Sequence, residues 1–232
     1  MATTTYERLE RDTADDRTRF MEIPLVKMLL GNEAAETGTP SSAEEASLKS
    51  VYERFLVESY YHVRAASKVY ALAGSRISES DEVIREWLLE HAVDEYGHHK
   101  WVMDDLRTLN RDVSNLATSK PSVPTDALVA WMYYVAGVHN PIAILADSYV
   151  IEGLSQLFAA QLANSMKTRL SLPDNAVTYL ARHGVADQAH MGELRDLINA
   201  NVKGEQNYAD MLQCAKVEFA LYGQILEVSA AA

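Results

Sequence analysis

Cysteine is almost absent from this sequence. The 232 residues contain one cysteine, Cys214. A single thiol excludes a disulfide within the chain, and it excludes zinc or iron–sulfur sites built from several cysteines. If the protein binds a metal ion, the ligands must therefore come from histidine, aspartate and glutamate.

Basic residues are scarce relative to acidic ones. The chain has 21 Lys and Arg against 33 Asp and Glu, and its formal net charge at pH 7 is −12. No basic cluster offsets this average, and an acidic surface repels phosphate backbones, so we expect no nucleic acid partner. Residues 1–19 are dense in charged side chains and lack the apolar core of a signal peptide, which predicts a cytoplasmic protein.

Long apolar runs are limited to one stretch. Residues 127–146 contain no Asp, Glu, Lys or Arg, and a run of about 20 residues is long enough to span a membrane. The pair Asn140-Pro141 interrupts this run, and such a pair marks a turn and the start of a helix. We therefore predict two buried helices that meet at a corner, and no membrane partner.

Strand-like alternation, Gly-rich phosphate loops and the Gly-x-Ser-x-Gly motif are all missing. Apolar residues make up 48% of the chain, which is enough to build a core in one domain, and they follow helical spacing. We predict an all-α protein in which residues 1–42 form an N-terminal helix and a linker that pack on a helical domain of residues 43–232. The pattern indicates about seven helices, at residues 5–30, 42–74, 80–109, from 125, 141–169, 173–200 and after 207.

The most informative positions are polar residues where the helical period requires apolar ones. His183, Asp187 and His190 are spaced i, i+4 and i+7, so a helix places them on one face. Three leucines continue that face above and below the row: Leu180, Leu194 and Leu197. Burial of two imidazoles and a carboxylate is costly, and one metal ion satisfies all three. A buried His–Asp hydrogen bond without metal is the alternative.

Two other predicted helices carry ionisable residues on apolar stripes. Glu95 and His98 are three residues apart, and Glu-x-x-His is the ligand pair of di-iron carboxylate bundles. Glu152 is the only charged residue between Asp147 and Lys167, on a helix that is apolar nearly all round. An isolated carboxylate in such a helix must be neutral, paired or bound to a metal ion.

Four further residues are predicted to line a pocket or to support the site. Glu58 and His62 lie on or beside the apolar face of the second predicted helix, where a plain Glu–His hydrogen bond is the alternative. His91 lies on the same stripe as Glu95, one helical repeat before His98. Tyr149 is a candidate pocket wall, although a tyrosine in a helical core often serves packing alone.

The candidate ligands offer three imidazoles and three carboxylates: Glu95, His98, Glu152, His183, Asp187 and His190. Mixed nitrogen and oxygen ligation with open positions suits iron, or manganese, better than it suits a structural zinc site or calcium. One division assigns Asp187, His190 and a bridging carboxylate to one ion, and the other residues, Glu152 included, to a second ion.

The order of these motifs resembles that of the haem-oxygenase-like di-iron oxidases and oxygenases, over roughly residues 45–230. The segment Glu95-Tyr96-Gly97-His98 resembles the branch that includes the alkene-forming fatty-acid decarboxylase. Where a second branch has Glu, seven residues before His98, this chain has His91.

This resemblance implies a single-domain, seven-helix, haem-oxygenase-like bundle in which the six candidate ligands hold two iron ions. It also implies activation of O2 to oxidise a small organic substrate. The substrates of the family are amines, amino acids or fatty acids, and the reactions are N-oxygenation, desaturation or C–C cleavage.

Two other functions stay open. A metal-independent enzyme of the same fold, thiaminase-like (TenA-like) or pyrroloquinoline-quinone-synthase-like, would use inward His and acidic residues for acid–base chemistry. The thiaminase-like enzymes need a nucleophilic cysteine, for which Cys214 is the only candidate. The second alternative is a non-catalytic helical protein that binds iron or a partner protein. The expected partners of an oxidase are its small-molecule substrate and O2, and the sequence leaves the oligomeric state open, with a homodimer as one option.

Overall fold

The described part of the chain is helical throughout. The computed structural model describes residues 3–30 and 42–230, and these residues contain no β-strand. The helices are α1 (Thr5–Asp12), α2 (Ala14–Met21), α3 (Pro24–Leu30), α4 (Ser42–Arg76), α5 (Glu82–Asp94), α6 (His99–Thr108), α7 (Val123–Gly137), α8 (Leu145–Arg169), α9 (Thr178–Asn201) and α10 (Glu205–Ala230). The all-α prediction is confirmed. The predicted linker before α4, at residues 31–41, lies outside the described residues.

The described residues form ten α-helices rather than the predicted seven, because two predicted helices are interrupted. The predicted helix 5–30 is three helices. The first break is at Thr13, which has the non-helical angles φ −108° and ψ 5°. The second precedes Pro24, because helical backbone angles are unfavourable for a residue followed by proline. The predicted helix 80–109 breaks at residues 95–98, where Gly97 has a φ of 100°. Such an angle favours glycine, which has no Cβ.

Helix α8 forms the centre of the bundle. It packs along α9 and also contacts α10 and α3. The segment Pro141–Arg169 is the one described helical segment long and apolar enough to cross a membrane, and 67% of its apolar window is buried inside the protein. This burial is typical of a core helix. The predicted corner before α8 is present, and the Asn140 side chain accepts a hydrogen bond from the backbone nitrogen of Ile142 there.

The close approach of α8 and α9 depends on Gly184. A Cβ at this position would lie 3.0 Å from the backbone nitrogen of Ala160 and 3.4 Å from its Cβ. Gly153 of α8 is less constrained, because its added Cβ would meet only the flexible end of Met191, at 3.5 Å. Gly184 therefore sets the distance between the helices beside His183.

Helix α4 forms the opposite side of the bundle. It packs against α5, α6, α7 and α10. The N-terminal helices cover one end: α1 contacts α9 and α10, α2 contacts α10, and α3 contacts α8 and α10. This arrangement brings side chains of α4, α5, α8 and α9 to one region of the interior.

Candidate metal centre

Six side chains form two adjacent groups in the core. The Glu152 group consists of His91 of α5, Glu152 of α8 and His190 of α9. The Glu95 group consists of Glu95 and His98, from the turn between α5 and α6, and His183 of α9. Within each group the candidate donor atoms all lie within 4.8 Å of one another, so one ion can contact all three.

Asp187 lies between the two groups and faces both. Its Oδ2 is 3.6 Å from Nδ1 of His183, and its Oδ1 is 3.6 Å from Nδ1 of His190. The side chain is fully buried. A carboxylate that points one oxygen at each group is placed to bridge two ions.

Glu152 contacts a histidine with each of its oxygens. Its Oε1 is 2.7 Å from Nε2 of His91, and its Oε2 is 3.3 Å from Nδ1 of His190. The predicted division, which placed Glu152 in the Glu95 group, therefore differs from the arrangement found. His91, expected only to support the site, stands among the candidate ligands. The reason is that α5 ends shortly after His91, and the following turn carries Glu95 and His98 into the other group.

Burial and ion pairing act in opposite directions on the pKa values of the centre. Burial alone would raise the pKa of Glu152, but His91 and His190 hold it below its ordinary value. Burial would likewise raise the pKa of Asp187, and the nearby imidazoles of His183 and His190 lower it. The nearby carboxylates of Asp187 and then Glu152 raise the pKa of His190 to about 10. Without a bound cation, the carboxylates thus favour protonated imidazoles beside them.

Many buried polar atoms of the centre have no hydrogen-bond partner among the described residues. They are Glu95 Oε1, His98 Nδ1, Glu152 Oε2, His183 Nε2, both carboxylate oxygens of Asp187, and His190 Nδ1. Buried polar atoms are nearly always partnered in proteins, because an unpartnered one is costly. Iron or manganese binds this mixture of nitrogen and oxygen donors. The residues present therefore fit a centre of two such ions.

Each group is covered by a tryptophan stacked on one of its histidines. Trp87 lies over His91 with ring centroids 4.5 Å apart, and Trp101 lies over His98 with centroids 3.9 Å apart. Sequence reasoning missed both tryptophans. Their spacings of four and three residues from these histidines were the available signal, because side chains three or four apart meet on a helix. The indoles restrict the imidazole orientations.

An apolar cavity reaches the centre from one side. Its volume is about 110 Å³, and its wall includes Glu95, Glu152, His183 and Asp187. The structure also places His62 in this wall. Most of the remaining lining is aliphatic and aromatic, including Phe55, Phe158, Leu162, Leu180 and Leu226. The candidate ligands therefore meet a water-poor space at one end of the cavity.

Two residues predicted to line the pocket lie elsewhere. Glu58 accepts hydrogen bonds from the backbone nitrogen of Ser122 at 3.1 Å and from the hydroxyl of Thr125, so it caps the start of α7. The Tyr149 hydroxyl accepts a hydrogen bond from Arg17 of α2 at 2.6 Å, which ties the N-terminal helices to α8. The helical periodicity correctly placed both residues on packed helix faces, but those faces contact α7 and the N-terminal helices rather than the cavity.

Comparisons with known proteins agree with this architecture. The sequence profile of a family described as "Iron-containing redox enzyme" matches residues 53–223. This range contains the six side chains of the two groups and Asp187 between them. A comparison with curated proteins found no match.

Solved structures with the same fold include a domain of unknown function with a heme oxygenase-like fold from Shewanella denitrificans OS217. It has a TM-score of 0.81 and 20% identity, and the match covers 97% of this chain and 91% of that chain. A TenA homologue from Pseudomonas syringae pv. tomato DC3000 has a TM-score of 0.78 and 15% identity, with 98% and 93% covered. Heme oxygenase-2 from Synechocystis sp. PCC 6803, solved with heme and NO, has a TM-score of 0.72 and 16% identity, with 98% and 85% covered. These likenesses show a haem-oxygenase-like fold and nothing further.

Proposed function

Since this chain belongs to the family of iron-containing redox enzymes, we propose that it is a non-haem di-iron oxidase or oxygenase that uses O2 to oxidise a small organic substrate. The observation that carries the proposal is the position of Asp187 between two His–carboxylate groups whose buried polar atoms lack partners among the described residues. Bound iron would supply the redox chemistry with O2.

The residues of the centre suit two divalent cations in number and charge. Each group offers three donors, and Asp187 offers one oxygen to each. Three carboxylates offset most of the charge of two divalent ions, which lowers the cost of burying them. Four protein donors for each ion leave part of an octahedral shell open to substrate or O2.

The surroundings of the centre favour oxidation of a small molecule away from water. The stacked indoles of Trp87 and Trp101 hold imidazoles of both groups in place. The cavity of about 110 Å³ is somewhat smaller than an engineered cavity of ~150 Å³ that holds benzene. An apolar wall excludes water from the reacting atoms, and this limits side reactions of reactive oxygen species.

Haem, which the Synechocystis relative binds, suits this donor set less well. A single axial side chain holds the haem iron in enzymes of many kinds. The remaining imidazoles and carboxylates of the two groups would then stay buried without partners, at a high cost.

Similarity in fold to a TenA homologue supports a second candidate, a metal-independent enzyme that uses acid–base chemistry. The thiaminase-like form of this candidate needs a reactive thiolate. Cys214, the only cysteine, is fully buried and donates a hydrogen bond to Oε1 of Glu218 at 3.3 Å. Burial, together with Glu218, raises the pKa of this thiol well above its usual value, which opposes a nucleophilic role.

Metal analysis combined with O2 uptake separates the candidates. Protein loaded with Fe(II) under anaerobic conditions should hold about two irons per chain, and it should consume O2 with turnover of an amine, amino acid or fatty acid. Glu152→Ala should lose iron. Glu58→Gln should retain it, because Glu58 lies outside the centre and caps the start of α7. Activity that survives complete removal of metal would favour the metal-independent candidate. Iron without turnover would favour a sensor or storage protein, and wild-type protein that binds no iron would defeat the proposal.

A further inference from the structure

A second pair of buried polar groups lies in the cavity wall, outside the metal centre. Asp147 of α8 and His62 of α4 both line the cavity, and they are 2% and 5% exposed. Nε2 of His62 is 3.7 Å from Oδ1 of Asp147. Neither atom has a hydrogen-bond partner among the described residues. The two groups of the metal centre leave both residues unused.

The other oxygen of Asp147 is fixed in place. The hydroxyl of Tyr70 donates a hydrogen bond to Oδ2 at 2.5 Å and also lies 2.9 Å from the hydroxyl of Ser148. Because Oδ2 is held, the carboxylate cannot rotate freely, and Oδ1 stays beside His62. The pair thus presents two preorganised polar atoms to the cavity, a carboxylate oxygen that accepts hydrogen bonds and an imidazole nitrogen that can also accept one.

The cavity is lined by several hydrogen-bond acceptors. Four carboxylate side chains lie in its described wall, which contains no Lys or Arg: Glu95, Asp147, Glu152 and Asp187. An unpartnered oxygen on a buried carboxylate costs free energy, which a ligand with N–H donors would recover.

We propose that Asp147 and His62 form a binding subsite for the protonated nitrogen of a small amine, whose apolar part occupies the rest of the cavity. This inference rests on the proposed function and narrows its substrate class. An ammonium group has several N–H donors, so it can contact both acceptors at once, and hydrogen bonds to a carboxylate are strong. A carboxylate ligand has no donor when it is ionised, so it would leave Oδ1 of Asp147 without a partner.

The subsite also sets which part of the ligand faces the metal centre. Asp147 precedes Glu152 by five residues on α8, a separation of about 7.5 Å along the helix axis. An amine held by its nitrogen at Asp147 therefore places carbon atoms, rather than the nitrogen, beside Glu152.

Calorimetric titration of the iron-loaded protein under anaerobic conditions tests the proposal. The probes are alkylammonium ions from ethyl to hexyl. Alkanols and alkanoates of the same chain lengths are the neutral and anionic matches for comparison. We expect at least one alkylammonium ion to bind about ten-fold more tightly than both of its matches, the gain typical of one charged hydrogen bond. Asp147→Asn, which removes the charge and preserves the shape, should abolish this preference without changing the iron content.

Glu218→Gln is the matched control, because it alters a neighbouring buried acid that does not line the cavity. We expect it to change alkylammonium binding less than about threefold, since Glu218 is not part of the cavity wall. A loss as large as that in Asp147→Asn would overturn the proposal.

The wild-type protein alone also decides the matter if Asp147→Asn does not fold. Tighter binding of the alkanoates, equal binding of all three probe classes, or no binding of any alkylammonium ion would each overturn the subsite. Iron analysis of the same samples distinguishes failure of the subsite from failure of the proposed function. Iron without ammonium preference defeats the subsite alone, whereas absence of iron defeats the proposed function and the subsite with it.

Discussion

The substitution Gly184→Ala tests whether the close packing of α8 on α9 maintains the geometry of the candidate metal centre. The new Cβ would lie 3.0 Å from the backbone nitrogen of Ala160. Because that atom belongs to the backbone of α8, it cannot move aside as the end of a side chain can. Helix α9 carries three residues of the centre and α8 carries Glu152, so a shift between the helices lengthens the distances across the centre.

The expected change in the free energy of unfolding is a balance of two effects. Alanine favours a helix over glycine by ~1 kcal/mol, whereas overpacking a core contact costs about 1–3 kcal/mol. Gly184→Ala should therefore destabilise the protein by ~0–2 kcal/mol. Gly192 lies on the same helix, and a Cβ there would meet nothing within 4 Å. Gly192→Ala should accordingly gain ~0.5–1 kcal/mol, so the two variants should differ by ~1–3 kcal/mol.

Urea unfolding of the iron-free variants measures this difference, and Fe(II) titration measures its effect on the centre. We expect Gly184→Ala to bind iron about ten-fold or more weakly than wild type, which corresponds to ~1.4 kcal/mol, and Gly192→Ala to bind it normally. Equal stability of the two variants would refute the packing argument. Reduced stability of Gly184→Ala with unchanged iron affinity would refute the link between this packing and the centre.

Three other predictions concern the ligands, the pH dependence and a helix cap. Asp187→Ala should lower the iron content at both groups, because Asp187 faces both. His183→Ala should lower it mainly at the Glu95 group. An iron content that mass spectrometry finds unchanged in both variants would contradict the ligand assignment. Iron affinity should rise as pH increases toward about 10, the pKa of His190, because iron binds the neutral imidazole and displaces its proton. Linkage predicts an increase of about tenfold per pH unit for each proton released. An iron affinity that does not vary between pH 6 and 8 would contradict this prediction. Glu58→Ala should lower the free energy of unfolding by ~1–2 kcal/mol through loss of the α7 cap while iron content stays unchanged, and loss of iron would show a role for Glu58 at the centre.

The row on α9 was predictable because it depends only on local geometry. The helical period places His183, Asp187 and His190 on the face that three leucines continue; His183 and Asp187 are buried, and the partly buried His190 faces Asp187. Glu152 was predictable for a similar reason, since it is a lone carboxylate on a long, mostly apolar helix. In both cases one helix contains the whole signal.

The grouping of the ligands could not be predicted from periodicity, because it depends on where a helix ends. A continuous helix through residues 80–109 would place His91, Glu95 and His98 on one stripe. The break at Gly97, with its φ of 100°, instead separates His91 from the other two and sends them to different groups. A single glycine in a helical pattern is weak evidence for such a break, since many helices tolerate one.

Glu58 and Tyr149 show a second limit of sequence reasoning. Both lie on faces that contact the rest of the protein, as their helical positions indicated. Which neighbour each face meets depends on tertiary packing: Glu58 meets the start of α7, and Tyr149 meets the N-terminal helices. The period of a helix identifies a buried face and does not identify its partner.

Anomalous diffraction at the iron absorption edge, from crystals of wild-type protein loaded anaerobically with Fe(II), tests the central claim most directly. We predict two peaks in each chain, one among His91, Glu152 and His190 and the other among Glu95, His98 and His183, with Asp187 between them. Crystals of fully loaded protein with no peak at either group, or with iron only elsewhere on the chain, would contradict the di-iron assignment.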